Sequence, residues 1–346
     1  MRKLLFLICI IVLCSRPVCA MEFTAPQAPE SAEKYMPEDT ESFGEGLWYI
    51  IKSAIWQLQP SIAKASSVCL SLIAVIILTS VLQTFPTNTQ QILSLAGAVT
   101  IGILLIQPTN AMIQLGTSTI QELSEYGKLL LPVMTAALAA QGGTTTSAAL
   151  YVGTMFFDSV LSALIAHVIV PMLYVYLCLC IAKGVLSQEI IQNLRNCVKW
   201  LITWSLKTAL YVFTGYISIT GVISGTADAA AIKAAKLTIS GAVPVVGSIL
   251  SDASETILVS AGVMKSAAGV YGLLAMAAMW IGPFLQIGVQ YLMLKLTAAV
   301  CSVIGSKQTV QLIQDFSGAM GMILAMIGTV SLLLLISTVC FMKGVS

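Results

Sequence analysis

The strongest constraint on this chain is its shortage of charge. Only 9% of its 346 residues are Asp, Glu, Lys or Arg, while 58% are apolar. A water-soluble domain needs charge on roughly a quarter of its residues to cover its surface. Several uncharged apolar runs here exceed the length of about 18 residues that carries a helix through a hydrocarbon core of about 30 Å. The chain is therefore expected to fold with lipid as part of its solvent, as an all-α polytopic transmembrane helix bundle.

The N-terminus has the parts of an export signal. Arg2 and Lys3 precede an apolar stretch over 4–13, and small residues end at Ala20. That stretch is too short to cross a bilayer, so 1–20 reads as a signal peptide cleaved after Ala20; an uncleaved short anchor is the alternative. Residues 21–46 set seven acids, among them Glu22, Glu30 and Glu45, against Lys34 alone, with Pro26, Pro29 and Pro37. This composition predicts an exposed acidic leader. Residues 47–65 hold Trp48, Tyr49, Lys52 and Trp56 and read as an amphipathic helix at the membrane interface.

From 66 onward the chain reads as a multi-pass membrane domain. Expected crossings are 66–85 and 91–106, the second ending before Pro108, followed by a polar connection over 117–128 with Glu122 and Glu125. The 129–141 stretch is a short crossing or a re-entrant piece. Tract 147–182 is too long for one helix at ordinary tilt and is expected to divide near His167 and Pro171. Segment 183–199, with Lys183, Arg195 and Lys199 against Glu189, marks the cytoplasmic side. A crossing over 200–224 follows. Region 226–266 reads as interfacial or re-entrant, hinged at Gly241, Pro244 and Gly247. Tract 267–305 divides at Gly282-Pro283, and 317–342 is the last crossing. The total is about seven to nine spans.

Charged groups inside apolar runs are costly, about 2.5–3.5 kcal/mol each at the centre of a helix. Asp158, Lys207 and Lys295 are thus candidate intramembrane polar sites, although Lys207 lies close enough to a helix end to snorkel. Asp158 and Lys295 read either as a polar pathway or as an interhelical ion pair. His167 reads as a satisfied turn residue. Close helix contacts are expected at small residues: Gly221 with Gly225, Ala268 with Gly272, Ala278 with Gly282, and Gly321 with Ala325.

The sequence shows no catalytic, cofactor-binding or metal-binding motif. Cys178-x-Cys180 lacks a second pair, and the chain has one histidine. Arg195 is the sole arginine beyond the leader, and no basic stripe suited to nucleic acid is present. Expected partners are the lipid bilayer and other membrane helices, with association between copies of the chain left open.

One stretch carries a family likeness. Residues 240–258, SGAVPVVGSILSDASETIL, continue through 261–265 (AGVMK) and 269–272 (GVYG). With Leu131-Pro132-Val133-Met134, Gly142-Gly143 and Pro171, they resemble the stage III sporulation protein AE family. The resemblance implies a polytopic protein of endospore-forming bacteria, without catalytic residues. It would work in a channel-like complex between mother cell and forespore, beside the other proteins of the same sporulation operon and a facing forespore-membrane protein. A stand-alone transporter permease, with Asp158 and Lys295 in its path, is the alternative.

Overall fold

The computed structural model describes residues 26–37, 42–83, 90–140, 144–186, 188–219 and 267–344. The leader 1–20 and positions Gly221, Gly225, Gly241, Pro244 and Gly247 lie outside the described residues.

Lipid leaves a backbone no water to bond, so each segment must satisfy its own amides, and helix does this within one strand of chain. Among the described residues the regular structure is entirely helical. In chain order the helices are α1 (Glu30–Glu33), α2 (Phe43–Trp56), α3 (Gln59–Gln83), α4 (Gln90–Ala140) and α5 (Thr144–Leu164). A π-helical turn (Ile165–Ile169) joins α5 to α6 (Val170–Leu186), and α7 (Glu189–Ile219), α8 (Ala267–Cys301) and α9 (Lys307–Gly344) complete the set. Among the described residues five stretches are long and apolar enough to cross a membrane: 59–83, 92–136, 148–186, 269–301 and 307–342.

The bundle is organised around α9. Its apolar stretch is 94% buried, against 22% for α3, and α4, α5, α6, α7 and α8 all pack on it. A helix that is apolar all round can be enclosed by other helices or by lipid; in α9 the neighbours enclose it, and every residue of the run Leu332 to Leu335 is buried. Its few hydroxyls are satisfied at home. Thr329, Ser331, Ser337 and Thr338 each donate to the carbonyl four residues back, at 2.7–2.9 Å, which removes the penalty of burying an unpaired donor.

Glycine lets α4 approach this central helix. A Cβ at Gly116 would stand 2.5 Å from Ile323, and one at Gly127 would stand 2.8 Å from Leu334. The α8–α4 contact is similar, with Gly272 against Leu130 at 2.8 Å.

Several expected breaks are continuous helix. Pro108 and Pro132 both lie inside the 51-residue α4, and Pro283 lies inside α8. Residues 117–128 are therefore helix and not a connection, and 129–140 continues the same helix. Within a bundle a proline loses one backbone bond that neighbouring groups offset, so it need not end the element. The expected division near His167 is a π turn that keeps the helix going. Residues 189–199 and 200–219 likewise form one helix, α7.

The leader also departs from expectation. Within 21–46, residues 26–37 lie against α4 and α8, with Ala28, Ala32 and Tyr35 buried. Ser31 donates to Glu122 at 2.7 Å, Tyr126 donates to the Pro26 carbonyl at 3.2 Å, and the Ala28 amide donates to the Tyr271 hydroxyl at 3.2 Å. The acids Glu30 and Glu33 stay exposed. Helix α2 begins at Ser42, whose hydroxyl accepts from the Glu45 amide at 3.3 Å and so satisfies one free amide of the first turn. It buries Phe43, Gly46, Ile50 and Ala54 and exposes Trp48, Tyr49 and Trp56.

Candidate functional site

Two buried polar clusters stand out from the apolar packing. The first lies between α4, α5 and α9. Thr154, Asp158 and Ser162 occur at four-residue steps, which places them along one side of α5. Thr154 donates to Ser337 of α9 at 3.1 Å, and Ser124 of α4 donates to Asp158 Oδ2 at 2.6 Å. Asp158 is 1% exposed. Its Oδ1 and the Ser162 hydroxyl are buried without a hydrogen-bond partner. The cluster sits toward the C-terminal end of α9, since Ser124 lies one turn before Gly127 and Gly127 meets Leu334.

The second cluster lies at the other end, where α6, α7 and the start of α9 meet. Arg195 of α7 forms an ion pair with Asp315 of α9, and both side chains are 8% exposed. Gln311 Nε2 donates to the other carboxylate oxygen at 3.0 Å, Arg195 also donates to Asn196 at 2.9 Å, and the Tyr176 hydroxyl donates to the Asp315 carbonyl at 3.2 Å. Each charge in this cluster is thus held by a counter-charge and by further hydrogen bonds, the condition under which a buried ion pair is tolerated. A cavity of about 220 Å³ opens beside it, walled by Lys183, Gly184, Lys307, Gln308, Gln311 and Asp315.

The residues singled out from sequence fall differently. Asp158 is in the interior, as its position in an apolar run suggested. Lys295 is exposed on α8, with its ammonium 5.7 Å from the Tyr291 ring centroid, and Lys207 is exposed on α7. Asp158 and Lys295 do not pair; the ion pair among the described residues is Arg195–Asp315. His167 is exposed, and its Nδ1 lies 3.0 Å from the Ala163 carbonyl.

The packing glycines divide similarly. Gly272 meets Leu130, and Gly282 meets the Tyr35 ring with an added Cβ at 2.9 Å from its hydroxyl. Gly321 makes only ordinary contact with Tyr291, at 3.5 Å.

Asp315 escaped the sequence reading, and Arg195 registered there only as a marker of sidedness. The available signal was the arginine itself, single beyond the leader and placed where a helix begins to turn apolar. Gly116 and Gly127 have no small residue four positions away, so the spacing pattern does not mark them; Gly153, pressed against Tyr216, follows Ala149 by four positions and fits the pattern.

The sequence profile of stage III sporulation protein AE matches residues 35–344, which takes in both clusters and the whole of the bundle around α9. The chain belongs to the stage III sporulation protein AE family. A relative described as stage III sporulation protein AE, from Bacillus subtilis (strain 168), is 23% identical over 235 residues, 68% of this chain and 59% of that protein. The match thus spans less than two thirds of the relative's length. No solved structure matches the chain. Within the family's matched region both the Arg195–Asp315 pair and the Asp158–Ser124 contact join helices distant in sequence, by 120 and 34 positions.

Proposed function

We propose that this chain is a membrane component of the trans-envelope channel or secretion complex between mother cell and forespore in endospore formation. Its partners are the other membrane proteins of the stage III sporulation operon and a facing forespore-membrane protein. The family match over 35–344 carries this reading. The form of the bundle supports it. At about 1.5 Å per residue, the 51 residues of α4 extend about 77 Å, more than twice a hydrocarbon core of about 30 Å. Such a helix stands clear of a single bilayer on at least one side and offers partners a surface there.

In this reading the 1–20 leader starts export and the chain is multi-pass in the mother-cell membrane around the forespore. A count of seven spans or more requires α7 and a crossing by 220–266 in addition to the five apolar stretches. The alternative, a stand-alone permease, draws support from the unpartnered buried oxygen of Asp158, while Lys295, exposed, is no part of an interior path.

The deciding experiment isolates the tagged full-length chain in mild detergent from sporulating cells. Co-elution of the other operon membrane proteins, together with loss of spores on deletion of the gene, is the expected result. Isolation of the chain alone, from a strain whose deletion still sporulates, would overturn the proposal.

A further inference from the structure

The cavity beside the Arg195–Asp315 pair has the chemistry of an anion site. Its single acid is already engaged: Asp315 is held by Arg195 on one oxygen and by Gln311 on the other. Two lysines on its wall, Lys183 from the last turn of α6 and Lys307 from the first turn of α9, pair with no carboxylate among the described residues. Gln308 and Gln311 add amide groups to the same wall.

Backbone adds to this. The first turn of α9 presents amide hydrogens that have no partner inside the helix, and the helix dipole makes that end positive. The Thr309 amide donates to the Ser306 hydroxyl at 3.4 Å and the Val310 amide to the Ser306 carbonyl at 3.2 Å. A volume of about 220 Å³ accommodates a group of phosphate size.

The chain segments next to the lining lysines carry exposed apolar side chains. Leu186, Ile190 and Leu194 of α6 and α7, and Val303 and Ile304 just before α9, are all more than half exposed. Val303 is 85% exposed. A cavity lined by two lysines, with bare aliphatic groups on the neighbouring segments, matches an amphiphile whose phosphate enters while its chains stay in the bilayer. It also lies at the end of the bundle that carries Lys183, Arg195, Lys199 and Lys307, the charge pattern of a cytoplasmic face, which meets the leaflet rich in anionic lipid.

We propose that this cavity binds the phosphate of an anionic phospholipid headgroup, with Lys183 and Lys307 as its two cationic contacts. The site is independent of which complex the chain enters. Bound there, a lipid phosphate bridges α6 and α9 across the same gap that Arg195 and Asp315 close from the α7 side.

The test uses the full-length protein in nanodiscs of phosphatidylcholine alone or phosphatidylcholine mixed with phosphatidylglycerol. Thermal unfolding and titration with a fluorescent phosphatidylglycerol are the two readouts. Phosphatidylglycerol should raise the unfolding temperature of the wild type. K183Q/K307Q should bind the fluorescent lipid roughly thirtyfold more weakly, as expected for two lysines near a phosphate surface, with an unchanged unfolding temperature in phosphatidylcholine. K183R/K307R should restore binding. K207Q, which alters a lysine elsewhere on the surface, should bind like wild type. If the double variant does not fold, the single variants K183Q and K307Q should each show part of the loss. Wild-type binding by both single variants, or by the double variant, overturns the site. A parallel titration with inorganic phosphate distinguishes the source: stabilisation equal to that of the lipid, lost in K183Q/K307Q, overturns the lipid assignment in favour of a soluble phosphate.

Discussion

At the residue scale, the Arg195–Asp315 pair has the largest leverage on stability. Removing one partner of a buried pair leaves the other charge unmatched in a low-dielectric site, a loss of about 3–5 kcal/mol, whereas removing both costs much less because nothing charged remains. The expected order in detergent thermal unfolding is therefore wild type, then R195M/D315L, then R195M and D315L singly, with each single variant lower than the double. A double variant as unstable as the sum of its parts would mean that the two residues act separately. Little of this was readable in sequence. Asp158 announced itself by interrupting an apolar run, and it is buried. Asp315 sits in a polar stretch at a helix start, where a charge ordinarily faces water, and only the packing of α7 against α9 turns it inward. Lys295 misleads in the opposite sense: it interrupts an apolar run yet lies on the surface over Tyr291, since a long side chain can leave the helix axis and reach a polar layer.

At the element scale, composition identified helix and lipid but misplaced the ends. Proline and glycine were read as stops because in water they are; inside a bundle Pro108, Pro132 and Pro283 are carried by continuous helices. Helix α9 is the contrasting case: α3 is equally apolar yet only 22% buried against 94%, so apolarity alone does not select the central helix when lipid can cover it. The π turn shows why a seam sometimes needs irregularity. Buried Leu161, Ile165, Ile169 and Leu173 recur every fourth residue. In a regular helix of 3.6 residues per turn, each such step drifts about 40° round the axis, and three steps would carry the seam about 120° away from the side on which it starts. One wider turn absorbs a single extra residue and returns the seam to its side. Deleting His167, which is exposed inside the π turn, should thus convert that turn to α-helix while keeping both flanking seams in place. The unfolding temperature should change little. Deleting Val175, exposed in the regular part of α6, instead rotates everything after it by about 100° and takes Cys180 and Gly184 off α9. That variant should lose most of its stability, and equal effects of the two deletions would refute the account of the π turn.

At the scale of the whole molecule, the two ends of α9 give the bundle a polarity. Leu312, near its start, touches Gly184 of α6, and Leu334 touches Gly127 of α4. The rise between those two leucines is about 33 Å at about 1.5 Å per residue, close to the thickness of a hydrocarbon core. Around the first end are Lys183, Arg195, Lys199 and Lys307 against Glu189 and Asp315. Around the second are Lys34 and Lys128 against Glu122 and Glu125 of α4 and Glu30 and Glu33 of the docked 26–37 segment, whose Ser31 binds Glu122. Basic residues near helix ends stay on the cytoplasmic side; on that rule the prediction is that the α6–α7 connection faces the cytoplasm and α1 faces away. A membrane-impermeant maleimide tests this directly on intact cells, in a background whose native cysteines are replaced. Glu33→Cys, exposed on α1, should label from outside without permeabilisation. Gln188→Cys, exposed between α6 and α7, should label only after the membrane is opened. Labelling of both from the same side would mean that the rise between Leu312 and Leu334 does not cross the bilayer, and the reversed pattern would place the lysine-rich end, with its phosphate-sized cavity, on the outer face.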